Sequence, residues 1–122
     1  MDIRRFERLV ADVYAGLPEG IHERLDNVEV IVLPRPTREH RREAGLRGGQ
    51  TLLGFYQGVP LTERGGNYHM ALPDRIFVYA EPHTRRTPDP AALREEVRRT
   101  LLHEIAHYFG IEEQRLHELD LG

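Results

Sequence analysis

The sequence predicts a single small α+β domain, residues 1–122, in which helices cover one face of a small sheet. Apolar residues recur at helical spacing near the start of the chain and again over a long segment that ends near Gly110. Between them lie three short runs rich in β-branched, aliphatic and aromatic residues, as expected for strands. Because helices and strands do not alternate strictly, we expect an α+β arrangement and not a doubly wound sheet.

The first two elements are an amphipathic helix and a strand. Gly16 and Pro18 provide stop signals after the helix. Residues 28–33 alternate and are rich in β-branched side chains, which predicts a core strand packed on this helix. The apolar face of the helix consists of Ile3, Phe6, Leu9, Val10 and Val13.

The middle of the chain contains two further segments with strand character. Residues 51–57 predict a strand with Gly54 near its centre, and residues 75–80 predict a strand that is apolar on both faces. Residues 65–67, Gly-Gly-Asn, are typical of a turn between them. The polar, arginine-rich residues 37–49 predict a loop or a short exposed helix.

The longest predicted element is a helix that begins at Asp89, a favourable N-cap, with Pro90 at the first helical position. Gly110 provides its C-terminal stop. Residues 111–121 predict one more short amphipathic helix. The apolar residues of the long helix repeat every four positions: Leu93, Val97, Leu101 and Ile105.

The composition narrows the possible functions. The chain has no cysteine, so any metal must be held by imidazole and carboxylate groups. All 17 basic residues are arginine, yet the net charge is -3, which gives no electrostatic reason to expect a nucleic-acid partner. The absence of lysine is consistent with genome composition or a thermophilic source. No apolar run approaches the roughly 20 residues of a membrane span, and no secretory signal is evident, so we expect a cytoplasmic protein without a membrane partner.

Residues 103–107, His-Glu-Ile-Ala-His, match the pattern H-E-x-x-H inside the predicted long helix. His103 and His107 are separated by about 40° around that helix, so both imidazoles project from one side and can bind one tetrahedral ion. Glu104 lies about 100° from His103, where it can take a proton from water without binding the metal. The alternative is a chance match on an ordinary helix of a chain with seven histidines.

The residues after the pattern extend it. Gly110 lies three residues after His107, and Glu113 lies six after it. In an unbroken helix Glu113 would be turned about 240° from His107, away from the metal. Gly110 can adopt the left-handed conformation that ends a helix and lets a later side chain return to the ion. This spacing favours Glu113 as the third ligand, with Glu112 and His117 as alternatives.

The longer pattern, H-E-x-x-H-x-x-G-x-x-E, resembles the extended motif of the metzincin clan, with an acid in place of the third histidine. It is more similar still to the minimal zincins, small bacterial zincin-like metallopeptidases with Asp or Glu at that position. This resemblance implies a minimal zincin-like fold, with a small sheet packed against an N-terminal helix and a long metal-binding helix. It also implies one zinc ion per chain, bound by His103, His107 and Glu113, with Glu104 as general base. The expected activity is hydrolysis of a peptide or protein substrate.

Further residues are weaker candidates. The resemblance implies that an edge strand upstream of the metal helix pairs with an extended substrate, and residues 76–80 are the candidate, although a core strand accounts for them equally well. His69 and His83 could polarise a substrate carbonyl, but solvated loop positions are commoner. Tyr68 and Tyr108 could donate a hydrogen bond to an oxyanion, but packing roles are commoner.

Two alternatives to a peptidase remain. A catalytically silent module could keep the metal for stability or for binding a partner, since a domain of this size has little surface for substrate subsites. The arginine-rich residues 35–47 could contact an acidic partner or RNA. Acidic neighbours such as Glu39 and Glu43 favour a solvated face for this segment.

Overall fold

The computed structural model describes residues 1–64 and 72–111. The turn predicted at residues 65–67, and all but the first residue of the helix predicted from residue 111, lie outside them. Helices combined with a small sheet confirm the predicted α+β class. In chain order the elements are α1 (Ile3–Ala15), α2 (Glu19–Arg24), β1 (Val28–Leu33), α3 (Arg38–Glu43), β2 (Gly54–Gln57), a 3₁₀ turn (Leu61–Glu63), β3 (Asp74–Tyr79), α4 (Ala80–Arg86) and α5 (Pro90–Tyr108).

The strands form a mixed sheet with the order β1-β3-β2. Ile76 of β3 lies opposite Val30 of the parallel strand β1 and opposite Tyr56 of the antiparallel strand β2. The proposal that residues 76–80 form a substrate-binding edge is therefore wrong, because β3 is paired on both sides and Ala80 already belongs to α4. The core-strand alternative is confirmed. In the described part of the chain, β2 is an edge strand and also packs against α5.

The hydrophobic core lies between the sheet and two helices, α1 and α5. Ile76 and Val78 of β3 are fully buried against them. Burying one large apolar side chain contributes roughly 1.5–3 kcal/mol, so this contact fixes the rotation of α5 about its axis. That rotation decides which residues of α5 face outward. The residues that these two helices contribute to the core cluster are Phe6, Val10 and Val13 of α1 and Leu93, Val97, Leu101 and Ile105 of α5.

Both ends of α5 have the predicted chemistry. The side chain of Asp89 accepts a hydrogen bond from the backbone N–H of Ala92 at 3.0 Å, and Pro90 opens the first turn. At the other end Gly110 has φ = 84°. The Gly110 N–H donates to the His107 carbonyl, and the Ile111 N–H donates to the Ala106 carbonyl, both at 2.9 Å. This pair of bonds is a Schellman motif, which ends the helix where the sequence predicts.

The second face of the sheet is contacted by α3 through His40. Because successive strand residues point to opposite faces, Phe77 and Tyr79 lie on the side away from the core. His40 of α3 is buried there, with its ring centroid 4.2 Å from that of Phe77 and its Nδ1 2.7 Å from the Tyr79 hydroxyl oxygen. The short helix expected within residues 37–49 is present, but it is anchored on the sheet by a histidine and is not simply an exposed helix.

Candidate metal centre

His103 and His107 lie on the same side of α5, and their ring centroids are 4.8 Å apart. Two imidazoles that bind one tetrahedral zinc ion at about 2.0–2.1 Å have ring centroids roughly 5 Å apart. Both side chains are half-buried, within reach of solvent but supported by the helix. The residues present therefore fit two ligands of a single ion.

Glu104 is buried, with 8% of its surface exposed, and it lies against the edge strand β2. A Cβ atom added to Gly54 would lie 3.3 Å from Cγ of Glu104 and 2.6 Å from Cγ2 of Thr100. Only a residue without a side chain allows strand and helix to approach so closely. An isolated glycine inside a predicted strand is the sequence signal for such an approach.

A cavity of about 450 Å³ opens beside Glu104. His103 and Glu104 of α5 line one side of it, and the chain from Thr51 to Gly54 lines another. The candidate base is thus accessible from the same space that the edge strand borders. Of β2, only its first residue, Gly54, borders this cavity.

The third ligand predicted from the sequence, Glu113, lies outside the described residues, as do the alternatives Glu112 and His117. Within residues 1–64 and 72–111, no three histidine, aspartate or glutamate side chains come together as a metal-binding group. If His103 and His107 of α5 bind a zinc ion, a third protein ligand would come from outside the described residues.

Comparison with known proteins gives the family. Residues 25–122 match the sequence model of the zincin-like metallopeptidase family. The chain belongs to this family. This zincin-like chain is also similar in structure to a conserved hypothetical protein from Thermus thermophilus, with 26% sequence identity and a TM-score of 0.60, over 89% of this chain and 94% of that one. None of the curated proteins matches it.

Family membership confirms the resemblance to the minimal zincins that the motif indicates. The family is one of metallopeptidases and implies a metal, typically zinc. No helix in the described parts of this zincin-like chain is long and apolar enough to cross a membrane.

Tyr79 is a neighbour of the candidate site that the sequence does not reveal. Burial raises the pKa of its hydroxyl, and the negative charges of Glu104 and Glu43 raise the pKa further. The hydroxyl therefore stays protonated, with His40 as its hydrogen-bond partner. The sequence signal for the pair of Tyr79 and His40 is the alternation of β3, which places Tyr79 on the face that α3 contacts.

His83 has a structural role in this zincin-like chain. It belongs to α4 and is fully buried, not solvated in a loop as expected. Its Nδ1 lies 2.8 Å from the Tyr79 carbonyl oxygen and its Nε2 lies 2.8 Å from Oγ1 of Thr100. Because a carbonyl can only accept, Nδ1 carries the proton. In the neutral ring Nε2 accepts from the Thr100 hydroxyl, which also lies 3.0 Å from the Glu96 carbonyl oxygen. Burial lowers the pKa of the imidazole, in agreement with this neutral form.

Tyr108 is also a packing residue. It is fully buried, and its hydroxyl oxygen accepts a hydrogen bond from the backbone N–H of Asp26 at 3.1 Å. This contact joins the end of α5 to the segment before β1 and does not direct the hydroxyl at a substrate. The other two weaker candidates, Tyr68 and His69, lie outside the described residues.

A network of buried charged and polar side chains contacts the C-terminal end of α5, close to His107. Arg64 lies 2.6 Å from Oδ2 of Asp74, and the Tyr56 hydroxyl donates to the same oxygen at 2.5 Å. The Arg64 guanidinium carbon lies 5.4 Å from the centroid of the Tyr108 ring. Desolvation by burial, with the hydrogen bond to Asp74, raises the pKa of Tyr56. The network therefore links β2 and β3 to Tyr108, which is the last residue of α5 and follows His107 directly.

Proposed function

We propose that this chain is a zinc-dependent peptidase in which His103, His107 and Glu113 bind one zinc ion and Glu104 is the general base. The observation that carries the proposal is the position of Glu104, a buried carboxylate between the helix that bears the two histidines and an edge strand, beside a cavity of about 450 Å³. Membership of the zincin-like metallopeptidases supports it. The substrate class is peptide or protein.

The chain's own groups have distinct tasks in this reaction. Zinc, when bound, would polarise the scissile carbonyl and lower the pKa of water toward about 7. Glu104 accepts the proton of the attacking water and passes it to the leaving amine, the work of a general base and then a general acid. His103 and His107 hold the ion on one side of the helix, so the proton transfer falls to the Glu104 carboxylate beside them.

The substrate strand is assigned to β2 in place of β3. An edge strand offers backbone N–H and C=O groups that an extended peptide can pair with. Gly54, at the start of β2, brings this edge next to Glu104. A peptide bound along β2 thus passes directly in front of the base.

The substitution Glu104→Gln tests the proposal, because it keeps the shape of the side chain but removes its ability to accept a proton. We expect peptide hydrolysis to fall by at least roughly 10²-fold, the lower range of general-base catalysis. Zinc content and melting temperature should stay near those of the wild type. Glu95→Gln on the exposed side of α5 is the matched control and should leave hydrolysis unchanged.

The alternative, a catalytically silent metal-stabilised module, predicts a different outcome. In that case the wild type would cut no peptide of a diverse library, or the residual cutting would be equal in Glu104→Gln and would persist after chelation. Either outcome would falsify the peptidase proposal and leave the metal site standing.

A further inference from the structure

A second cavity, of about 630 Å³, adjoins the one beside Glu104. Its lining includes four arginines and a single glutamate, although the net charge of the whole chain is -3. We call it the arginine pocket. The charged residues that line it are Arg35, Arg41, Arg85, Arg86 and Glu81.

The sheet topology explains why these residues meet. β1 and β3 are parallel, and Leu33 lies opposite Tyr79. The chain therefore leaves both strands at the same end of the sheet. Arg35 follows β1 by two residues, and α4 follows β3 directly. Two segments that are distant in sequence thus place their arginines on one side of the molecule.

The arginine pocket is continuous with the candidate catalytic cavity. Thr51, Leu52 and Arg86 line both spaces. Thr51 and Leu52 precede Gly54 by three and two residues, and an extended chain advances about 3.3 Å per residue. A peptide paired with β2 in front of Glu104 therefore reaches the arginine pocket roughly 7–10 Å further along.

The guanidinium groups remain able to bind an external acid, although Arg86 lies 3.8 Å from Glu96 in a pair whose arginine is 62% exposed. Arg35 pairs with Glu81 at 3.5 Å, but both side chains are substantially exposed, and such pairs are weak and easily exchanged. Arg41 donates to the Gly48 carbonyl at 2.6 Å, which orients its guanidinium without neutralising it. Within the described part of the chain, no residue forms an ion pair with Arg85.

We propose that the arginine pocket is a substrate subsite that binds an acidic side chain of the peptide, two or three residues from the scissile bond. This inference rests on the proposed peptidase function and names its specificity. Guanidinium groups recognise carboxylates by paired, charge-assisted hydrogen bonds. RNA is disfavoured, because none of the described residues that line the pocket is aromatic and a base would find no stacking surface.

The test measures binding separately from cleavage. Zinc-loaded Glu104→Gln protein is titrated with two labelled ten-residue peptides that differ only in two neighbouring Glu or Gln residues, and with a labelled RNA oligonucleotide. We expect the Glu peptide to bind at least about tenfold more tightly than the Gln peptide, with a difference that shrinks at high salt. Equal binding of the two peptides, or tighter binding of the RNA, would overturn the proposal.

Charge reversal separates a specific pocket from general attraction. Arg85→Glu, in the Glu104→Gln background, should weaken the preference for the Glu peptide severalfold. Arg8→Glu on the exposed face of α1 makes the same change in net charge at a residue that does not line the pocket, and should alter neither affinity. If Arg8→Glu had the same effect as Arg85→Glu, the arginine pocket would not be the binding site.

Cleavage by the wild type distinguishes the two proposals. A preference in kcat/KM for peptides with an acid two or three residues from the cut bond supports both. Tight binding of the Glu peptide without cleavage of any peptide contradicts the peptidase and leaves the arginine pocket. Cleavage with no preference for acids contradicts the arginine pocket and leaves the peptidase.

Discussion

At the scale of single residues, the site depends on a carboxylate held where water is scarce. Glu104 is 8% exposed, and a buried carboxylate is costly unless hydrogen bonds or a cation compensate for the lost hydration. A buried ionisable group beside a cavity is a candidate for a chemical role. Its neighbour His103 fits a ligand for such a cation.

The third ligand gives a prediction at this scale. Glu113→Ala should weaken zinc binding by at least roughly 10-fold, because a lost carboxylate leaves two imidazoles to hold the ion. Glu112→Ala and His117→Ala should change zinc affinity little. Competition with a chromogenic chelator measures all three. A large loss in Glu112→Ala or His117→Ala, with Glu113→Ala unchanged, would show that a different side chain completes the site.

His83 predicts a dependence of stability on pH. Burial lowers the pKa of the folded imidazole below its ordinary value of 6.5, so the unfolded state binds more protons between the two values. The contribution of His83 is therefore complete above about pH 6.5 and is lost as the pH falls, by up to about 1.4 kcal/mol per pH unit.

Urea unfolding of the wild type and His83→Gln between pH 5 and 7.5 checks this contribution. The variant should be less stable at neutral pH, yet its free energy of unfolding should fall less steeply toward pH 5. Parallel curves for the two proteins would mean that the imidazole is not held neutral by burial.

At the scale of elements, the close contact between β2 and α5 predicts that adding a methyl group at Gly54 lowers the free energy of unfolding. In Gly54→Ala the new Cβ would meet Cγ2 of Thr100 at 2.6 Å and the Phe77 carbonyl oxygen at 3.1 Å. Such overpacking typically costs about 1–3 kcal/mol, and separation of strand and helix should also lower peptide hydrolysis.

The control is Gly20→Ala on α2, where nothing lies within 4 Å of the added Cβ. Removing a helical glycine there should leave the protein unchanged or more stable by up to about 1 kcal/mol. Urea unfolding measures both variants. Comparable stability of Gly54→Ala and Gly20→Ala would show that β2 and α5 are not in tight contact.

Which elements the sequence could predict follows from their length. β1 alternates over six residues and α5 repeats over nineteen, so both show their period clearly. The helices α2 and α4 have six and seven residues, fewer than two turns, and show no usable period. The buried side of α3 was missed for another reason, because the aromatic partners of His40 come from β2 and β3.

At the scale of the whole molecule, the local parts of the site were predictable and the long-range parts were not. The two histidines, Glu104 and the helix stop at Gly110 lie within eight consecutive residues, so their spacing alone fixes their relation. Strand order and direction arise from tertiary packing, so the sequence alone does not show that β2, and not β3, is the edge strand. The arginine pocket was equally hidden, because its two segments meet only through the parallel pairing of β1 with β3.

The anchoring of α5 by its apolar face has a consequence for the apoprotein. Leu93, Val97, Leu101 and Ile105 hold the helix in the core, so apolar packing sets the positions of His103 and His107. In zinc fingers, by contrast, metal binding and folding are one event. We expect chelation to abolish peptide hydrolysis but to leave the far-UV circular dichroism nearly unchanged, with activity restored on adding zinc. Loss of the helical signal on chelation would contradict this. If the helical signal persists, metal loss is a reversible exchange and not an unfolding event.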